Sequence, residues 1–74
     1  MTPRLARMTA KELIRILVRH GFVCTRTRGS HQHFFHERLR IRVTIPVHHG
    51  KIIGPGLLLS ILKQARIPPE ALLE

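Results

Sequence analysis

Hydrophobic positions change their spacing along the chain, and each change marks an element. Leu13, Ile16, Leu17 and His20 recur at helical intervals, which leaves Lys11, Arg15 and Arg19 largely outside. Thr9-Ala10-Lys11-Glu12 fits a capping box, in which the Thr9 hydroxyl serves the Glu12 amide and Glu12 reaches back. Gly21 supplies a left-handed stop, so the spacing predicts a first helix from Ala10 to His20. Phe22 to Arg26 is aromatic and β-branched enough for a strand. Arg28-Gly29-Ser30 then forms a turn, with Gly29 free to take positive φ. His31 to His36 reads as a second strand and Arg40 to Pro46 as a third, where Ile41, Val43 and Ile45 alternate with Arg40, Arg42 and Thr44. Val47 to Pro55 is a loop. Leu57, Leu58, Leu59, Ile61, Leu62 and Ala65 form a second helix, and Pro68-Pro69-Glu70 opens a short last turn. The predicted class is α+β in the order α-β-β-β-α, a three-stranded antiparallel sheet with both helices on one face.

The second hairpin has a readable register. With Arg38 and Leu39 at its tip, Glu37 pairs with Arg40. Counting outward sets Phe34 opposite Val43 and Gln32 opposite Ile45 on the inner face. Phe35 then faces Arg42, His33 faces Thr44 and His31 faces Pro46 on the outer one. A slip of one residue would turn the Ile41, Val43, Ile45 row toward water, so the two faces of this strand are strongly specified. The same register brings His31 near the loop that bears His48 and His49.

Charge adds a partner class. The 74 residues carry thirteen Lys and Arg against four acids, a net charge of +9, and ten of the thirteen are Arg. Such an excess draws in phosphate backbones, and guanidinium forks favour specific phosphate contacts. Nucleic acid or an acidic protein is therefore favoured over a merely solvated surface. A hydrophobic fraction of 43% fits a folded domain rather than a disordered basic tail. Residues 1–8, with Pro3, Arg4 and Arg7, read as a loose basic arm, and 9–74 as a single domain. Cys24 is alone, no apolar run is long enough for a bilayer, and no signal-peptide block is present. These features predict a cytoplasmic protein with no membrane partner.

The candidate chemistry centres on Arg28-Gly29-Ser30-His31-Gln32-His33-Phe34, where a histidine follows a Gly-Ser turn at the mouth of a strand. Imidazole exchanges protons near neutral pH, with an unperturbed pKa of about 6.5. The helix-Gly-Phe start, Gly29-Ser30-His31, Pro46-Val47-His48 and the run from Gly56 to Ala65 together resemble the HicA family of toxins, over nearly everything from Met8 to Leu73. The resemblance implies a fold similar to double-stranded-RNA-binding domains. It also implies mRNA interferase activity, inhibition by a cognate HicB antitoxin, and His31 as the catalytic residue. The chain departs from the family pattern with Arg66 where glycine is common, Leu57 where threonine is common, and Gln32 after the motif histidine.

The chemistry is also arguable from the residues. An RNA 2′-hydroxyl attacks the adjacent phosphate once a base removes its proton, so neither metal nor cofactor is required, and neutral His31 is the candidate base. Arg26, Arg28, Arg42 or Lys51, or the turn amides of Gly29 and Ser30, could meet the developing phosphate charge. His33 and His48 could donate to the leaving oxygen or only contact RNA. Phe34 is expected in the core, while Phe35 could stack on a base or pack against a partner. The leucine surplus of the second helix could serve an antitoxin or a homo-oligomer. Six histidines with one cysteine and no Asp do not make a closed zinc site. A strand histidine is more often structural than catalytic, and the family resemblance tips the reading toward catalysis. A non-catalytic RNA-binding module and a domain that binds an acidic protein remain the alternatives.

Overall fold

A computed structural model describes residues 8–73. Its elements are β1 (Met8–Thr9), α1 (Ala10–Arg19), β2 (Val23–Arg28), β3 (His31–His36), β4 (Ile41–Pro46), β5 (Ile52–Ile53), α2 (Pro55–Gln64) and a closing 3₁₀ turn, Pro69–Leu73. The predicted α-β-β-β-α order is present, with β2, β3 and β4 antiparallel and β3 central. A two-stranded ribbon of β1 and β5 joins Met8 to Ile53 and Thr9 to Ile52. Met8 therefore belongs to the folded part, buried in the core, while the rest of the expected arm lies outside the described residues.

The capping box at the head of α1 forms as expected. The Thr9 hydroxyl accepts from the Glu12 amide at 3.3 Å, and the Glu12 carboxylate accepts from the Thr9 amide at 3.0 Å. The Thr9 amide and, at 3.0 Å, the Thr9 hydroxyl both donate to this carboxylate and, with the nearby Arg15, hold the Glu12 carboxyl below its ordinary range. Ala10, Leu13 and Leu17 form the buried stripe. Both helices end in a Schellman motif, the paired bonds that satisfy the last carbonyls. Phe22 and Gly21 amides reach the Leu17 and Val18 carbonyls, and Ile67 and Arg66 amides reach those of Leu62 and Lys63. The left-handed residue is Gly21 (φ 95°) in the first and Arg66 (φ 57°) in the second.

The inner faces of β3 and β4 meet the helices in one core. Phe34, Val43 and Ile45 are fully buried with Leu13, Leu17, Phe22, Leu58, Ile61 and Leu62. Burying each such large side chain stabilises by roughly 1.5–3 kcal/mol. The predicted β3–β4 register holds at every pair from His31–Pro46 to Phe35–Arg42. The hairpin tip differs. The ladder ends at His36–Ile41, and the Arg40 amide donates to the His36 carbonyl at 2.8 Å with Arg40 itself at φ 58°. Residues 37–40 form a four-residue turn, so Glu37 and Arg40 do not pair.

Three further boundaries shift. Phe22 precedes β2 rather than opening it, because its ring is needed in the core. β2 continues to Arg28, which leaves a two-residue Gly29-Ser30 turn with Gly29 at φ 59°. Helix α2 starts at Pro55, where a missing amide proton costs nothing. His36, with no evident role in the sequence, packs edge-on against Phe22 at 5.1 Å between centroids, and its Nδ1 accepts from the Leu39 amide at 3.1 Å. It thereby ties the β3–β4 turn to the end of α1.

Candidate nucleic-acid interface

The sheet face opposite the helices has a composition set by strand parity and by one irregularity. Val23 pairs with Phe35 and Cys24 with Phe34, but the register then shifts so that Arg26 pairs with His33 and Arg28 with His31. Thr25 is the extra residue, and its hydroxyl donates to the His33 carbonyl at 3.3 Å. In a regular ladder Thr25 would oppose His33 and Arg26 would oppose inward-facing Gln32. The bulge turns Arg26 and Arg28 onto the histidine face, which is a re-aiming role typical of bulges. Nothing in the sequence marks it.

The outer face thus carries three cross-strand rows: Arg28–His31–Pro46, Arg26–His33–Thr44 and Val23–Phe35–Arg42. The three strands contain no acid, so nothing on them offsets the three arginines. Every residue of β2 is exposed, as are His31 and Arg42. His31 stands at the first position of β3, fixed by the sheet backbone on both sides, and its ring has no hydrogen-bond partner among the described residues. The Val47 amide donates to the Ser30 carbonyl, so the Gly29-Ser30 turn is held against the loop that follows β4. That backbone tie brings the turn before His31 up to the loop that bears His48.

The structure brings some predicted site residues together and separates others. Arg26, His33 and Arg42 line one open groove of about 270 Å³ with Thr25. His33 is half-buried there, and its Nδ1 is hydrogen-bonded to the Thr44 hydroxyl at 2.8 Å. Arg28, Gly29, Ser30 and His31 form the adjoining end of the same face. His48 and Lys51 line a different groove with Pro46, Ile52 and Leu57. At the far end of the sheet, Arg40 lies over the Phe35 ring, 5.5 Å from its centroid, beside exposed Val23. Among the described residues no group of three His, Cys, Asp or Glu side chains could hold a metal. Among the described residues no helix is long and apolar enough to cross a membrane.

The fold and this face define a small basic α+β domain with a cationic, histidine-bearing open sheet. A family model for the HicA toxin of bacterial toxin–antitoxin systems matches residues 10–67. The chain belongs to that family, and its membership implies an antitoxin partner. The match spans both helices, the whole sheet and the Arg66 cap. No curated protein matches the chain.

Proposed function

We propose that this chain is a metal-independent endoribonuclease, an mRNA interferase with His31 as general base, held inactive by a HicB-type antitoxin in the cytoplasm. The observation that carries this reading is the setting of His31. Its imidazole is exposed and, among the described residues, unpartnered, at the end of a strand, cross-strand from Arg28, on three strands without acids. An exposed imidazole can approach a ribose, and the arginines beside it attract the phosphate that must be attacked. His31 takes the 2′-hydroxyl proton, the 2′-oxygen attacks phosphorus, and the bond to the 5′-oxygen breaks. Positioned proton transfer of this kind supplies about 10²–10⁴-fold. Arg26, Arg28, His33 and Arg42 hold the backbone, with the Gly29 and Ser30 amides nearest the base. His48 and Lys51 contact RNA that continues past Pro46. An acidic antitoxin segment laid across the same face would block it.

The test is incubation of purified protein in EDTA with an RNA and with the same RNA carrying a 2′-deoxy nucleotide at each cut site. Cleavage of the RNA alone, leaving a 2′,3′-cyclic phosphate and a 5′-hydroxyl, supports the reading. Salt-sensitive binding without cleavage refutes it in favour of a binding module, and no affinity even at low salt refutes it in favour of a protein-interaction domain.

A further inference from the structure

We infer that His33 is the general acid of the same reaction, the group that protonates the departing 5′-oxygen; this rests on the endoribonuclease reading above. His31 and His33 occupy alternate positions of β3, so both project from the outer face. At about 3.3 Å of rise per residue their origins lie about 6.6 Å apart, a span into which a tetrahedral phosphate fits with an imidazole on either side. Two protonable rings flanking one phosphate are what an in-line displacement needs, since the entering and leaving oxygens lie on opposite sides of phosphorus.

The surroundings of His33 differ from those of His31 in ways that suit the second role. Its Nδ1 is engaged by the Thr44 hydroxyl at 2.8 Å, which fixes the ring plane and leaves Nε2 as the nitrogen free to exchange a proton. The half-buried ring lines the groove that also presents Arg26 and Arg42, two cations able to hold the non-bridging phosphate oxygens. The bulge at Thr25 sets Arg26 beside this ring, and the Thr25 hydroxyl bonds the carbonyl of His33 itself. The ring and the backbone of His33 are thus each held by a hydroxyl, and the bulge sets an arginine directly across from it.

The step balances. The 2′-hydroxyl proton moves to His31, the new P–O2′ bond forms, the P–O5′ bond breaks, and the Nε2 proton of His33 moves to the 5′-oxygen. His31 ends protonated and His33 neutral with its remaining proton on Nδ1, facing Thr44, and exchange with water resets both.

The experiment compares two substrates, an ordinary RNA and one whose scissile 5′-oxygen is replaced by sulfur, a leaving group that departs as thiolate without a proton. His33→Ala is expected to slow cleavage of the ordinary RNA by about 10²–10⁴-fold and to cleave the 5′-thio substrate at close to the wild-type rate. Thr44→Val should give a smaller loss with the same rescue, as befits a positioning residue. His31→Ala should be rescued by neither substrate. Undiminished cleavage of ordinary RNA by His33→Ala overturns the assignment, and so does equal loss on both substrates, which would make His33 a binding or structural residue. A wild-type chain that cuts neither substrate removes the nuclease reading itself, and this inference with it.

Discussion

Arg66 offers a test of the fold that needs no substrate. It occupies the left-handed position of the Schellman motif closing α2, at φ 57°, while the same position closing α1 is Gly21. An L-residue in that conformation costs about 1–2 kcal/mol, from Cβ against the following carbonyl. The Arg66 side chain is exposed and has no partner among the described residues, so little offsets that cost. Replacing Arg66 with Gly relieves it but adds about 0.5–1 kcal/mol of unfolded-chain entropy. The middles of these two ranges leave a net gain for Arg66→Gly of about 0.75 kcal/mol, which raises Tm by about 3–6 °C in a domain of this size. Arg66→Ala keeps the Cβ and should change little. Thermal melts followed by far-UV circular dichroism, with urea midpoints as a second measure, separate the two. A Tm for Arg66→Gly at or below wild type would refute the backbone argument, and an equal rise for Arg66→Ala would assign the effect to charge.

Three other outcomes follow from the same geometry. Gly21→Ala should cost at least the 1–2 kcal/mol or so of the left-handed backbone, and more because its Cβ would stand 2.7 Å from His36 Nε2. A melt unchanged from wild type would show that His36 does not pack there. The Glu12 carboxyl lies below its ordinary range because the Thr9 amide and hydroxyl bond its charged form, so its contribution is full above that range and is lost as pH falls through the lowered value. Urea titrations should therefore show Glu12→Gln losing less stability on acidification than wild type, and parallel curves would contradict the cap. Arg26→Ala and Arg42→Ala should weaken RNA binding and flatten its salt dependence, by about 0.7 in the log–log slope for each single-strand phosphate no longer neutralised. A slope equal to that of wild type in binding titrations over a salt series would remove those residues from the RNA path.

Much of the core was legible because parity is unforgiving. Ile41, Val43 and Ile45 could face only inward, which fixed the two faces of β4. Counting from a tip centred on Arg38-Leu39 set His33 opposite Thr44 and His31 opposite Pro46, pairs that hold although the turn spans residues 37–40. The cap of α1 was equally readable, since Thr9 and Glu12 satisfy each other locally. What escaped depends on residues distant in the chain. The β1–β5 ribbon is two residues a side, too short to carry a period. The bulge at Thr25 leaves no compositional mark, yet it decides that Arg26 and Arg28 share a face with the histidines. His36 gains its purpose only when the close approach of Gly21 and Phe22 is known. For the site, residue types were visible early, whereas the division into a His31–His33 face and a separate His48–Lys51 groove required three dimensions.

The exposed imidazole at the start of β3 bears the functional account. Single-turnover cleavage of RNA by wild type and by His31→Ala, each verified as folded by circular dichroism and by equal RNA affinity, puts it to the most direct trial. Wild type should cut in EDTA, and the variant should lose about 10²–10⁴-fold or more. A folded His31→Ala protein that cuts RNA at the wild-type rate would contradict it.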